Sequence, residues 1–173
     1  VRFTATSLGS NTTGSFSMYF DGSDVGLSTS DEDIDALDIL ADGRIIISTL
    51  GNFSVTGLGA ADEDLLIFTP TSLGNTTSGS WAMYFDGSDV GLTAGSEDID
   101  AVDVAANGAI YLSVTGSFAV PGGSGADESV VGFTPGSLGA HTPRPRLLYT
   151  YDASADGSRA GQGGARSHKQ QHR

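Results

Sequence analysis

The chain contains no cysteine, which excludes disulfides, zinc–thiolate centres and cysteine nucleophiles. Histidine is confined to His141, His168 and His172, so nothing before residue 141 offers the base that a Ser–His–Asp or Cys–His arrangement needs. Positive charge is almost as scarce. Up to residue 140 the only basic residues are Arg2 and Arg44, against nineteen acidic ones. The whole chain carries a net charge of −13. Such a body repels nucleic-acid phosphates and anionic lipid and attracts cations. No apolar run approaches the ~18 residues of a membrane span, so neither nucleic acid nor membrane insertion is expected. No leader-like segment follows Val1, which implies that a leader was removed or that the chain is a fragment. The composition does not favour long helices, and no phosphate-binding glycine loop opens one. Trp81 is the only tryptophan; spaced by two from Met83 and Phe85, it is expected to face the core, as is its counterpart Phe16.

Glycine, with 25 residues, and Ser and Thr fill the space instead, the composition of strands joined by turns. The arrangement is periodic. TSLGSNTTGSFSMYFDGSDVGL at residues 6–27 returns as TSLGNTTSGSWAMYFDGSDVGL at 71–92, and EDIDALDILADG at 32–43 returns as EDIDAVDVAANG at 97–108. Comparing 3–67 with 68–132 gives 36 identities in 65 positions without a gap. The sequence therefore divides into repeat 1 (1–67), repeat 2 (68–132), a partial third repeat (133–157) and a basic tail (158–173) expected to be disordered. LLYTYDASADG at 147–157 echoes the second copy's WAMYFDGSDVG and can form one last strand.

Each repeat reads as four short strands. In the first copy these are SFSMYFD (15–21), IDALDIL (34–40), RIIISTL (44–50) and DLLIFTP (64–70), the last closed by proline. Asp42-Gly43 marks a hairpin, and Asn107-Gly108 replaces it with another turn-competent pair. The expected fold is all-β, built of tandem four-stranded antiparallel units like β-propeller blades. A β-sandwich or an open β-solenoid is the alternative.

The strings YFDGSDVGL, EDIDA, DGRIIIST and DEDLLIFTPTSLG resemble repeats of exported bacterial surface proteins, and the resemblance covers residues 3–139. It implies an extracellular or cell-surface location and an interaction role. It supplies no catalytic residues.

Acidic residues carry the chemistry. Asp21, Asp24, Glu32, Asp33 and Asp35 return as Asp86, Asp89, Glu97, Asp98 and Asp100. Hard oxygen ligands crowded at short spacing suit Ca²⁺. Plain turn chemistry accounts for the same residues, and the spacing is not that of an EF-hand. Three of the four asparagines, Asn11, Asn52 and Asn75, stand in glycosylation acceptor patterns. Duplicating a whole acidic set argues for structure over a single active site, so no enzyme is expected. The expected role is an extracellular structural or assembly protein whose repeats pair between copies as a filament or surface layer, stiffened by Ca²⁺. The alternative is a binding module for glycan or surface proteins.

Overall fold

A computed structural model describes residues 1–142 and 149–152. It is all-β. The strands are β1 (Arg2–Ser7), β2 (Thr13–Ser17), β3 (Ile34–Ile39), β4 (Ile45–Thr49), β5 (Phe53–Val55), β6 (Leu58–Ala60) and β7 (Leu65–Ser72). They continue with β8 (Ser78–Phe85), β9 (Ile99–Val104), β10 (Ile110–Val114), β11 (Phe118–Val120), β12 (Gly123–Gly125), β13 (Ser129–Phe133) and β14 (Tyr149–Asp152). Two four-stranded antiparallel meanders form, β3-β4-β7-β8 and β9-β10-β13-β14. Three two-stranded hairpins accompany them: β1-β2, β5-β6 and β11-β12. Among the described residues no sheet closes into a barrel and no ring of sheets is completed. The basic tail, 158–173, lies outside the described residues, as does most of the partial third repeat beyond Thr142. Within the latter, β14 pairs antiparallel with β13, where the echo of the second copy's strand leads one to look for it.

The turn chemistry explains the hairpins. Gly43 adopts φ 85° and Gly108 φ 83°, the left-handed conformation that glycine reaches without steric cost. The preceding side chain makes the same bond in both copies: Asp42 Oδ1 accepts from Arg44 N at 3.1 Å, and Asn107 Oδ1 from Ala109 N at 3.1 Å. Pro70 does not close its strand. β7 continues to Ser72, with Pro70 opposite Gly79. The short β5-β6 and β11-β12 hairpins are additions to the four expected strands, too brief to show a period in the sequence. DGSDVG is not a plain turn either. It winds into a 3-10 turn at Ser23–Val25 in one copy and a single-turn helix, α1 (Gly87–Val90), in the other.

Burial follows from stacking. All five residues of β4 are buried, although an antiparallel strand with one wet face would alternate. Ile45 and Ile47 join Leu27, Phe53, Leu66 and Phe68 on one side of the sheet. Ile46 joins Leu65, Ile67, Phe85, Ile99, Ile110 and Leu112 on the other, where the second meander packs. The sheet is covered on both faces, and β4 buries the unbroken run Ile45–Ile47 together with the polar Ser48 and Thr49. The matching strand β10 reads IYLSV. Its Tyr111 is 44% exposed where Ile46 is sealed, because nothing described covers that face.

A bulge resets the expected side-chain alternation. Leu65 faces Phe85 while Leu66 faces Met83, so one residue of β8, Tyr84, is extra. Phe85 therefore joins the second meander's core, whereas Trp81 and Met83 pack with Phe68 on the opposite side. The sequence expectation of one shared face fails there. It also fails for Phe16, which is 73% exposed in the N-terminal hairpin while its counterpart Trp81 is half-buried.

Candidate functional site

The repeated acidic residues fall into three environments. The first is a joint between units. After β2 the chain runs through Asp21 to Asp24, and the β7–β8 hairpin tip of the next unit lands on this loop. Thr77 N donates to Asp24 Oδ2 at 2.8 Å, and Asp21 N donates to Thr77 Oγ1 at 2.9 Å. Gly74 N donates to the Tyr19 carbonyl at 2.9 Å. The same joint recurs 65 residues on: Thr142 N to Asp89 Oδ2 at 2.8 Å, Asp86 N to Thr142 Oγ1 at 3.1 Å, and Gly139 N to the Tyr84 carbonyl at 2.8 Å. Asp21 Oδ1 also accepts from Ser23 Oγ, and Asp86 Oδ1 from Ser88 Oγ, both at 2.6 Å. Thr77 and Thr142 are buried in these joints. Their first-copy counterpart Thr12 makes only the local bond to the Gly9 carbonyl and is exposed.

A control pair follows from this contrast. Thr77→Val strands Asp21 N in a half-buried place, which is expected to cost about 1–2 kcal/mol of unfolding free energy. Thr12→Val removes no joint and is expected to change stability by less than about 0.5 kcal/mol. Urea denaturation followed by Trp81 fluorescence measures both.

The second environment is a buried acceptor. Glu32 Oε2 accepts from Ser28 N at 2.8 Å and Thr29 N at 3.0 Å, and its Oε1 from Ser54 N at 3.2 Å. Glu97 repeats the set with Thr93, Ala94 and Ala119. The Ser28 N–H leads the effects that hold the Glu32 carboxyl below its ordinary value. Burial pushes the other way at Glu97, but its three backbone donors prevail and the carboxyl is again lowered. These two glutamates tie the loop before each meander to the β5 and β11 hairpins.

The third environment is a seam between the two meanders. Here Asp35 of β3, Asp62 and Glu63 before β7, and Asp98 and Asp100 around the start of β9 gather. Asp35 and Asp98 lie side by side. Burial raises the Asp35 carboxyl. Burial, then the charges of Asp35 and Asp62, push Asp98 up to about 7. Burial and the adjacent Asp62 carboxyl push Glu63 up to about 7. Asp64 is raised by burial, although Ala61 N and Gly87 N donate to it at 2.9 Å each. Asp38 Oδ2 crosses the seam to accept from Val104 N at 2.9 Å, and Asp100 Oδ1 accepts from Ser113 Oγ at 2.6 Å.

A bulge at Asp35 breaks the two-residue alternation at the start of β3. Asp33 is exposed, and Asp35 is half-buried. The ten acidic residues thus do not form two equivalent clusters. Asp21, Asp24, Asp86, Asp89, Glu32 and Glu97 meet protein donors, while Asp35 of one copy meets Asp98 of the next. Among the described residues no three acidic or histidine side chains stand at the spacing of a preformed metal shell. Asp62 and Glu63 also stand out in the sequence as acidic residues that recur 65 positions on, as Asp127 and Glu128. Their signal was the second acidic run, DED, which lies about 27 residues after Asp35 and reaches the seam only through the fold.

Asn11, Asn52 and Asn75 are all exposed. Trp81 donates its Nε1 to the Val25 carbonyl at 3.0 Å and packs against Phe20, Phe53 and Phe68. It lines a shallow groove with Asp24, Val25, Val55 and Ser80.

No protein-family model matches the chain, and no curated protein and no solved structure is significantly similar to it.

Proposed function

We propose that the chain is a non-enzymatic structural protein of the cell exterior whose units pair with units of a second copy, building a filament or surface layer. One observation carries this reading. Among the described residues β7 is flanked by β4 and β8, whereas its counterpart β1 pairs with β2 alone. Phe3 is 38% exposed where Phe68 is fully sealed, and Val1 is 83% exposed where Leu66 is 1% exposed. A strand edge that is covered in one repeat and bare in the other is a template for a further unit. What fits it is the chemistry that already joins the two units: an apolar strand along β1 and a DGSDVG loop on the exposed Gly9–Thr12 tip. Units that stack on one another in this way give open arrays or rings according to the rotation between them.

A blade-like arrangement supports the same reading. Each meander runs in sequence order, and the first strands β3 and β9 approach one another across the seam. The acidic surface keeps copies apart until a specific edge engages, and it suits an exterior location. The three exposed sequons are available for glycosylation on that surface; intact mass of native material reads their occupancy directly.

Sedimentation velocity over a concentration series tests the assembly. The wild-type chain is expected to sediment as multiples of 17.6 kDa, and Phe3→Glu as the monomer. A wild-type chain that remains monomeric throughout the series removes the reading.

A further inference from the structure

The seam holds an electrostatic deficit that the protein does not make good. Asp98 is only 7% exposed, and its Oδ1 has no hydrogen-bond partner. Both carboxylate oxygens of the neighbouring Asp35 are enclosed and equally without a partner. Asp62 and Asp100 add negative charge from the flanking segments. Among the described residues no cationic side chain answers them. Arg44 is engaged by Asp42 at 2.7 Å, and Arg2 belongs to the N-terminal hairpin. Enclosed anionic oxygens without donors are costly, and a cation from solution can compensate them. A shared proton bridges two of the three bare oxygens and leaves the third without a partner. A metal ion can engage all of them.

We propose that this seam takes one divalent cation of the calcium type, held by Asp35 and Asp98, with Asp62 and Asp100 completing the negative field. Oxygen-only donors and the absence of histidine or cysteine fit a hard cation. Two carboxylates cannot supply the six to eight oxygens of Ca²⁺, so water and backbone carbonyls fill the remainder. A shell this incomplete binds weakly, on the order of 0.1–1 mM, the range of extracellular calcium modules.

The site belongs to the meeting of two units and not to either alone. Asp33, the first-copy counterpart of Asp98, is exposed, and so are Asp127 and Glu128, the second-copy counterparts of Asp62 and Glu63. A cation here fastens β3 to the start of β9 and fixes the angle between consecutive meanders. This inference stands apart from the pairing of copies, since both ligands lie in one chain.

Calorimetric titration of CaCl₂ into the EDTA-stripped Phe3→Glu chain tests it without interference from assembly. One binding event per chain is expected, together with a Ca²⁺-dependent rise in melting temperature. Asp98→Asn and Asp35→Asn are each expected to weaken binding by roughly tenfold or more, since each removes a charged ligand. In EDTA both variants are expected to melt at or above the parent temperature, because each removes an unanswered charge. Asp33→Asn and Asp127→Asn are expected to leave the isotherm unchanged. A parent isotherm that Asp98→Asn does not alter overturns the proposal. So does the absence of Ca²⁺ binding at millimolar concentration, in which case the pair shares a proton instead.

Discussion

Phe68→Ala is expected to destabilise the chain by about 3–5 kcal/mol, whereas Phe3→Ala, one period earlier, is expected to cost less than about 1 kcal/mol. The two phenylalanines occupy equivalent positions in identical FT strings. Phe68 is fully sealed between Phe20 and Trp81, with ring centroids at 5.2 and 4.7 Å. Removing it opens a cavity that the rigid neighbours Ile45, Ile47 and Phe53 cannot close. Phe3 packs on Phe16, at 4.8 Å, in a hairpin that is exposed along its whole length. Chemical denaturation of both variants at low protein concentration, where copies are dissociated, reads the difference. Equal costs at the two positions would mean that the N-terminal hairpin is already covered in the isolated chain.

In EDTA, stability is expected to fall as pH rises through about 7 and to fall again on the acid side below the ordinary carboxylate range. The alkaline limb comes from the seam. Asp98 and Glu63 have folded values raised to about 7, and Asp35 is raised as well, by burial in each case. A raised carboxyl contributes stability that is complete below its unfolded value and is lost as pH climbs through its folded value. The groups facing this cluster are Asp62, Asp64 and Asp100, all acidic, so nothing nearby reverses the sign. The acid limb comes from Glu32, Glu97 and Asp42, whose folded values are lowered. Their contribution is present above the unfolded value and disappears as pH drops through the folded one. Maximum stability therefore lies between the two limbs, in mildly acidic solution. Melting temperatures across pH 4 to 9 in EDTA measure the profile, with closely spaced pH steps around 7. Asp98→Asn is expected to flatten the alkaline limb and leave the acid limb intact. A profile flat through neutrality would show that the seam is better hydrated than its burial implies.

Much of the architecture was legible because the repeat advertises its own strands. The apolar Ile45–Ile47 of β4 against Ile110-Tyr111-Leu112 of β10 matches two covered faces in one copy and one in the other. Asp42-Gly43 and Asn107-Gly108 located two turns for the same reason: only glycine takes the left-handed position cheaply. Bulges were not legible. The extra residues at Tyr84 and Asp35 shift side chains to the other face without changing composition, so period-two reasoning misplaced Phe85. The acidic set was found, but its partition was not. Whether Glu32 meets backbone donors or Asp98 meets Asp35 depends on contacts between units, which no spacing within one unit encodes.

The joint made by Asp24 and Thr77 spans 53 residues, and that made by Asp89 and Thr142 spans the same 53. Excising or inserting one whole period therefore leaves every remaining joint with both its halves. Genes of this kind can lengthen or shorten by unequal crossing-over while each product still folds. Reach becomes a quantity set by copy number, and it can be varied without redesigning any contact.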